Sequence, residues 1–317
     1  MKVTFCGTRG SLPVSMTADM VRKKLVDALI AARGRSLDTR EKITEFVDLE
    51  LPFGTAGTFG GHSSSVQIDT GCGEFILCDC GSGARPFGLH AIKASRGRGR
   101  YHIFMSHLHW DHIMGFPFLV PAYVPGNKIT IYGCHADLQG AFAQQQHSPF
   151  FPVEFDSLGA EIDFIRLEPG RSYEIAGMNV TTKRQLHGGG SFGYRFEVNG
   201  KTLVYSTDAE HKQDDATEID SAIEFFSKAD AIIFDAMYSL ADSMSIKEDW
   251  GHSSNMVGVE LAQLAGAKRL CLFHHEPTLD DDRLLEIHQE TERLEEITRG
   301  EYRLQIITTY DGLELVL

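Results

Sequence analysis

Hydrophobic positions in the first half of the chain fall into short runs that end in polar, glycine-rich turns. The runs have the length of buried strands and are rich in the branched and aromatic side chains that strands favour. We therefore predict strands at residues 3–6, 66–68, 75–78, 102–105 and 129–132. The polar residues that follow each run predict turns at the edge of a sheet.

The second half of the chain alternates strand-like runs with helical patterns. Asn199-Gly200 joins two alternating runs and is a strong signal for a hairpin turn. Helices are predicted through Val257 and Leu261 and at about 280–299. Further strands are predicted at 162–167, 179–184, 193–198, 201–205, 229–234 and 268–273, with a closing hairpin at 302–308 and 312–316. Strands that come first in runs and later alternate with helices predict an α/β fold, with sheets packed inside layers of helices.

Residues 17–51 form a helical insertion in this pattern. An apolar stripe marks the first helix, and Asp38 with Glu41 resembles the capping box of a second. Two amphipathic helices that leave a sheet predict a lid or a partner surface, including pairing into a homodimer, but packing on the core explains them equally well. The segment 144–152 is also open, since it fits either a loop near the substrate or a packing corner. With its insertion, the chain 1–317 is expected to form a single domain.

Composition narrows the class of protein. The 317 residues are 42% hydrophobic and 23% charged, which predicts a sizeable core. A formal net charge of −14 argues against a large nucleic-acid surface, although a small anionic substrate remains compatible with bound divalent metals. The six cysteines form no CxxC pair and predict reduced thiols in a cytoplasmic protein. No apolar run is long enough to cross a membrane, and no signal peptide precedes the first strand.

Three histidines and one aspartate crowd into the segment that follows the fourth predicted strand. His107 and His109 are two residues apart and point to one side of extended backbone, and Asp111 and His112 follow where the chain turns toward a helix. Imidazole and carboxylate suit zinc, manganese or iron better than calcium. These ligands are too many for one metal that keeps an open position, so the segment predicts two adjacent metals. The residues between them are predicted to pack in the core: Leu108 and Trp110.

Further candidate ligands stand at the ends of other predicted strands. His187 precedes three glycines, which permit close approach of the backbone, and Asp208 and His274 each end a later strand. Asp79 ends the third strand beside glycines. It is a candidate to orient a metal ligand without binding the metal itself. His252 opens the helix through Val257.

The order and spacing of these residues resemble the metallo-β-lactamase superfamily over nearly the whole chain. The resemblance implies a four-layer αββα sandwich of two mixed sheets with a dinuclear site at one edge. It also implies two divalent ions, zinc first and manganese second. Carried over residue by residue, it implies a first metal on His107, His109 and His187, a second on Asp111, His112 and His274, and Asp208 bridging both.

Within that superfamily the chain is most similar to the phosphodiesterase branch, which includes tRNA 3′-end endonucleases and cyclic-nucleotide phosphodiesterases. The similarity rests on the turn 7–11, on Asp208, and on Gly-His-Ser-Ser at 251–254, where His252 would be catalytic. The branch usually has Gly-Gly-Asn-Thr-Ser where this chain has His62. The chain also lacks a basic, glycine-rich arm of the kind that grips tRNA.

The resemblance implies hydrolysis of a small nucleotide, cyclic or linear, or a similar phosphodiester, by a hydroxide generated between two metals. Asp111 and His252 would be catalytic, with His252 donating a proton to the leaving group. Arg9, Ser11 and His62 are candidate substrate contacts, although Arg9 fits a carboxylate partner as well as a phosphate. Four alternatives remain: lactone or thioester hydrolysis, tRNA 3′ processing, a di-iron redox protein and a non-catalytic regulator.

Overall fold

The computed structural model describes residues 1–212, 214–238 and 251–317. The stretch predicted to lead into the helix of His252 begins at Trp250, which lies outside the described residues. Two sheets of seven strands each form the centre of the fold. The first sheet has the order β14-β1-β2-β3-β4-β5-β6 and contains β1 (Lys2–Gly7), β2 (Ser65–Asp69), β3 (Phe75–Cys78), β4 (Arg100–Phe104), β5 (Lys128–Gly133), β6 (Glu161–Arg166) and β14 (Glu314–Val316).

The second sheet has the order β13-β12-β11-β10-β9-β8-β7 and contains β7 (Ser172–Ile175), β8 (Met178–Gln185), β9 (Ser191–Val198), β10 (Lys201–Ser206), β11 (Ala231–Asp235), β12 (Arg269–Phe273) and β13 (Gln305–Thr308). Both sheets are mixed: β14 to β3 of the first sheet and β7 to β10 of the second pair antiparallel, whereas β3 to β6 and β10 to β13 pair in parallel. Strand β11 is buried along its whole length, as expected for a parallel strand covered on both faces.

Helices connect the strands of both sheets, and several of them cover the outer faces. They are α1 (Ala18–Ala31), α2 (Arg40–Leu49), α3 (Phe53–Ala56), α4 (Ala84–Ala94), α5 (Trp110–Ile113), α6 (Leu138–Gln145), α7 (Ala216–Phe226), α8 (Asn255–Leu264) and α9 (Asp281–Thr298). Short 3₁₀ turns occupy Phe116–Phe118, Val120–Tyr123 and Phe155–Ser157.

Three apolar clusters hold these layers together. The first lies between the sheets and includes Phe104 and Tyr194, whose rings meet edge-on at 5.4 Å. The second joins α7, α8 and α9 to the second sheet, and the third joins α4, α5 and α6 to the first. Neighbouring residues of a strand serve different clusters, as Ile232 and Ile233 do, because successive side chains point to opposite faces. The predicted αββα sandwich of two mixed sheets is therefore confirmed.

The closing hairpin is the main error in the predicted topology. Strand β13 pairs in parallel with β12 in the second sheet, whereas β14 pairs antiparallel with β1 in the first. The chain therefore crosses between the sheets at Thr309–Leu313. Hydrophobic spacing identifies strands but not the neighbour with which each one pairs.

The insertion 17–51 does form two helices, but they bury little. None of the residues of α1 is buried, and α2 buries only Phe46. The predicted capping box is also displaced: Thr39 caps α2 by accepting a bond from the Lys42 amide, while Asp38 pairs with the Lys42 ammonium. Among the described residues, no helix combines the length and the apolar character needed to span a membrane.

Candidate metal centre

The candidate ligands meet because the strands that carry them end at the same edge of the two sheets. In the second sheet, β8 and β10 both run antiparallel to β9, and β10, β11 and β12 are parallel. Their carboxyl ends deliver His187, Asp208 and His274 to one edge. The loop after β4 of the first sheet brings the segment 107–112 to the same place. Residues distant in sequence thus converge on one centre.

Unusual backbone geometry turns several of these side chains inward. Asp79, Asp208 and His274 have φ values of 58°, 48° and 61°, in the left-handed region that L-residues seldom occupy. Such conformations cluster at functional sites, where surrounding structure holds them in place. Gly10 lies so close to His274 that an added β-carbon would sit 2.5 Å from its Nδ1 atom, so this position requires glycine.

One set of imidazoles, the first ligand group, consists of His107, His109 and His187. The Nε2 atom of His187 lies 3.2 Å from Nδ1 of His109. Oδ2 of Asp208 lies 3.6 Å from Nε2 of His107 and 3.8 Å from Nε2 of His187. The Gly251 carbonyl accepts a bond from His187 Nδ1 at 2.7 Å, which leaves the Nε2 lone pair facing the centre.

The second ligand group consists of Asp111, His112 and His274, all of them buried. Oδ2 of Asp111 lies 3.1 Å from Nε2 of His112 and 3.3 Å from Nε2 of His274. Oδ1 of Asp208 lies 3.2 Å from both of these Nε2 atoms. The two oxygens of Asp208 therefore face different ligand groups, as a bridging carboxylate would.

The donor atoms fit two divalent metal ions. Three nitrogens of the first ligand group lie within 4.8 Å of one another, and so do the donors of the second group together with Asp208. His107 Nε2 is buried and has no hydrogen-bond partner among the described residues, which is costly for a polar atom unless a ligand binds it. Nitrogen and carboxylate donors in this mixture suit zinc and similar transition metals.

The electrostatics of the two groups differ. Burial, with help from His112, lowers the pKa of His107 well below its usual value, so this imidazole is neutral. Burial also disfavours charge on His112, but the carboxylates of Asp208, Asp111 and Asp79 outweigh it and raise the pKa of His112 well above its usual value. The same negative field that attracts a proton attracts a metal cation, and a bound cation would displace that proton.

Asp79 lies directly behind His112. Its carboxylate accepts bonds from the Ser106 amide at 2.7 Å, the Ser106 hydroxyl at 2.6 Å, the Tyr205 hydroxyl at 2.7 Å and His112 Nδ1 at 2.7 Å. Four donors satisfy this buried carboxylate fully. The contact fixes His112 with Nε2 toward the centre, the geometry expected of a carboxylate that orients a metal ligand.

His252 stands beside both ligand groups. Its ring centroid is 5.1 Å from those of His187 and His274. Its Nδ1 donates to Oδ2 of the buried Asp235 at 2.8 Å. Burial disfavours the charged form, but the Asp235 carboxylate prevails and raises the pKa of His252 to about 9.

Asp235 was missed as a site residue by sequence reasoning. The signal that could have identified it is the one that marks Asp208, a carboxylate at the end of a buried strand. Oδ2 of Asp235 also accepts a bond from the Ala209 amide at 3.1 Å, which connects it to the loop of Asp208.

The structure places the three predicted substrate contacts differently. Arg9 stays a predicted substrate contact, but its buried guanidinium donates to the backbone carbonyls of Gly60 and Leu279, at 3.0 and 2.8 Å, and to that of Glu276. In this arrangement Arg9 holds loops together.

The other two predicted substrate contacts are Ser11 and His62. The Ser11 amide donates to Oδ2 of Asp111 at 2.9 Å, so Ser11 reaches a predicted ligand through its backbone. His62 Nδ1 lies 3.1 Å from the Ser82 hydroxyl. Trp110 departs from the prediction of core packing, since 67% of it is exposed.

Comparison with known proteins identifies the family. A family model described as the beta-lactamase superfamily domain matches residues 74–275. The chain belongs to this superfamily. Its fold is that of the metallo-β-lactamase members: the metallo-β-lactamase fold protein YhfI of Bacillus subtilis aligns with a TM-score of 0.63 over 99% of this chain and 98% of that one, at 18% identity.

Other members of the superfamily resemble the chain in sequence or structure. Ribonuclease Z of Geobacillus kaustophilus is 28% identical, with 67% of this chain and 81% of the relative covered. A diphosphatase from the PhnP family aligns with a TM-score of 0.61 at 19% identity, over 100% and 97% of the two chains. The short form of human tRNase Z aligns with a TM-score of 0.59 at 19% identity, over 100% and 99%. Relatives named for RNA cleavage are in tension with the expectation, from net charge, that large nucleic acids are not substrates.

Proposed function

We propose that this superfamily member hydrolyses phosphodiesters at a centre of two divalent metal ions. The observation that carries the proposal is the position of Asp208, whose Oδ2 faces the first ligand group and whose Oδ1 faces the second. Zinc is the proposed native metal, with manganese as the other candidate. Two bound ions of this kind supply Lewis acidity and lower the pKa of a water in the site from about 16 to roughly 7.

The remaining side chains organise the chemistry. Asp79 and the Gly251 carbonyl hold His112 and His187 with Nε2 toward the centre. Asp111 is held in turn by the Ser11 amide, which fixes the oxygen that faces His112 and His274. Orientation by such supporting contacts keeps reacting groups in a productive geometry before substrate arrives.

His252 is the proposed general acid. Because Asp235 accepts its Nδ1 proton, Nε2 is the atom that can carry a second proton to a departing alkoxide. A pKa near 9 keeps that proton in place at neutral pH, and nearby cations would lower it toward the value at which transfer is efficient. The rival role is metal ligation, because donor atoms of His252, His187 and Asp208 also lie within 4.8 Å of one another.

The proposed substrate is a small, anionic phosphodiester, with a cyclic or linear nucleotide first. The net charge of −14 disfavours a long polyanion, because the protein and the polyanion repel each other overall. A second candidate is processing of tRNA 3′ ends, which the ribonuclease Z relatives and the tRNase Z structure favour.

A panel of substrates tests the proposal. The purified protein, with zinc or manganese added, is offered cyclic nucleotides, linear dinucleotides, bis(p-nitrophenyl) phosphate, a tRNA precursor, a lactone and a thioester. We expect turnover of the phosphodiesters and its loss in Asp208→Ala. Turnover of the lactone or thioester with no phosphodiester hydrolysis would refute the proposal, and cleavage of the tRNA precursor alone would establish the second candidate.

We also propose that the insertion 17–51 contributes to substrate choice or to pairing of chains, and not to the chemistry. Along α1, Val21, Leu25 and Leu29 recur at helical spacing and are 43%, 60% and 70% exposed. The double variant Leu25→Asp, Leu29→Asp should keep both metals and change the oligomeric mass or the order of preferred substrates. Loss of metal from the folded variant would contradict this assignment.

A further inference from the structure

We propose that a cavity beside the metal centre binds the base of a nucleotide substrate, with Trp110 as its stacking surface. The inference rests on the proposed function, because it names the part of the phosphodiester that lies outside the metal centre. Under this inference the substrate is a nucleotide, which is a narrower class than phosphodiesters in general.

Trp110 is the first observation. It lies between two candidate ligands, His109 and Asp111, and each of its neighbours along the chain is about 3.8 Å away between α-carbons. Two thirds of this large side chain is nevertheless exposed. An indole offers a rigid apolar face at little cost in conformational entropy, and exposing it to water is unfavourable. Its exposure next to the centre is best explained by a ligand that covers it.

The second observation is a cavity of about 250 Å³ that Trp110 helps to form. Phe150, which is 67% exposed, and Ile113 supply further apolar wall, and Gln144 and Gln145 of α6 supply amides. The cavity thus combines apolar and polar walls, and sites for small organic ligands also pair an apolar lining with polar groups that fix orientation. Since pockets for whole drug-sized ligands are about 300–1,000 Å³, this cavity suits one aromatic base and not an entire nucleotide.

Gln145 gives the third observation. Its side chain is 9% exposed, and its amide nitrogen has no hydrogen-bond partner among the described residues. A buried donor without a partner is rare in folded proteins and costs free energy until something accepts its hydrogen. The carbonyl and ring-nitrogen edge of a nucleobase supplies such acceptors, whereas a purely apolar ligand does not.

These observations together favour a base over other aromatic groups. Residues that line the cavity alternate with candidate ligands along the segment 107–113, and Trp110 lies between His109 and Asp111, so a ligand bound at both places carries an aromatic ring close to a phosphodiester. A nucleotide joins these two groups within a single sugar unit. The segment 144–152, whose sequence fits either a substrate-side loop or a packing corner, contributes Gln144, Gln145 and Phe150 to the cavity.

Two substrates with the same leaving group test the inference. Thymidine 5′-(p-nitrophenyl phosphate) carries a base, and methyl p-nitrophenyl phosphate does not. We expect Trp110→Ala to lower kcat/KM for the thymidine ester about tenfold, the order that base stacking contributes in alanine substitutions, and to leave the methyl ester unchanged. Trp110→Phe should retain most of the activity, and Tyr302→Ala, which removes a 74% exposed aromatic ring elsewhere, should change neither rate.

Equal loss on both esters, or loss on neither, would overturn the inference, since Trp110 would then support the ligand segment or do nothing for binding. If the wild type hydrolyses neither ester, the proposed hydrolysis fails, and calorimetric titration decides base binding separately. Tighter binding of thymidine 5′-monophosphate than of ribose 5-phosphate, abolished in Trp110→Ala, would uphold the inference. Equal binding of the two ligands by the wild type would reject it.

Discussion

The two ligand groups share Asp208, but they differ in burial and in charge. The first ligand group contains imidazoles alone, of which one is buried, one half-buried and one exposed. Burial lowers the pKa values of His107 and His109, so these ligands present neutral lone pairs. The second ligand group is buried throughout, includes a carboxylate, and has a further carboxylate, Asp79, behind His112.

This difference predicts unequal affinity for metal. A cation in the second ligand group would be attracted by negative charge that water screens little. A cation in the first group would be attracted by the dipoles of its imidazoles, and that group is partly exposed to water. We therefore expect the second metal to be held more tightly and the first to exchange with solvent more readily. Each of the following changes tests one part of this comparison.

Removal of the shared carboxylate should have the largest effect. Asp208→Ala deletes the group that faces both sets of ligands, so metal content should fall from two equivalents toward none. Activity should fall by at least about 10²–10³-fold, the cost of losing one preorganised electrostatic group. Elemental analysis and steady-state kinetics measure both, with the exposed Asp163→Ala as control. Intact metal content and activity in Asp208→Ala would refute the dinuclear arrangement.

His252 tests whether chemistry is separate from metal binding. His252→Ala should keep both metals and lose about 10²–10⁴-fold in rate on a substrate with an alkyl leaving group, because the alkoxide must be protonated to depart. A p-nitrophenyl ester should slow much less, because its leaving group departs as a stable anion. Asp235→Asn should show the same pattern in weaker form, since it orients the imidazole.

Two other results would change the assignment of His252. Loss of one metal from His252→Ala would make it a ligand. Equal slowing of both substrates with metals retained would make it a residue that positions the phosphate.

Asp79→Asn should weaken the second ligand group selectively. An amide in place of the carboxylate removes charge behind His112, and changes of this kind typically cost about 10–100-fold in metal affinity. Competition with a chelator should show one of the two metals released early and the other unaffected. Glu74→Gln is a matched control, because Glu74 makes the same contact to His102, at 2.8 Å, outside the ligand groups. Equal weakening of both metals would show that the groups are not independent.

Gly251→Ala should weaken the first ligand group alone, and by the smallest factor. A β-carbon there would lie 2.6 Å from Nδ1 of His187, on backbone with φ of +82°. The added carbon would displace His187 and its bond to the residue 251 carbonyl, so weaker binding of the first metal by about tenfold is expected, at the low end of the effect of losing such a contact. Gly188→Ala, where nothing lies within 4 Å, is the control. Earlier release of the second metal would reverse the proposed order of affinities.

Much of the centre could be predicted because its residues share a local signal. His187, Asp208 and His274 each follow a buried run, and the strand ends that carry them fall at one edge. Asp235 follows such a run as well, but its role depends on His252, which lies 17 residues away and is recognised only once the two are in contact. Functions that act through another side chain leave little trace in local spacing.

Strand pairing and the exposure of side chains were harder to predict from the sequence. The spacing of β13 and β14 fits a hairpin, yet their partners β12 and β1 lie in different sheets. The strand β7 and the helices α3, α4, α6 and α7 were not predicted, although α7 carries Ile219, Ala222, Ile223 and Phe226 at helical spacing. Trp110 was placed in the core on alternation alone, although a short helix turns it outward. In each case, tertiary contacts decide between arrangements that the sequence pattern fits equally.

The left-handed backbone at Asp79, Asp208 and His274 has a consequence for how the protein responds to selection. Each position holds an L-residue where glycine would be more comfortable, by roughly 1–2 kcal/mol when neighbouring contacts do not compensate. A library selected only for resistance to heat in a chelating buffer should therefore discard the side chains of Asp208 and His274 early, but keep Asp79, whose carboxylate satisfies four buried donors. Stability alone does not explain Asp208 and His274, and their presence in this chain records selection for a task other than folding.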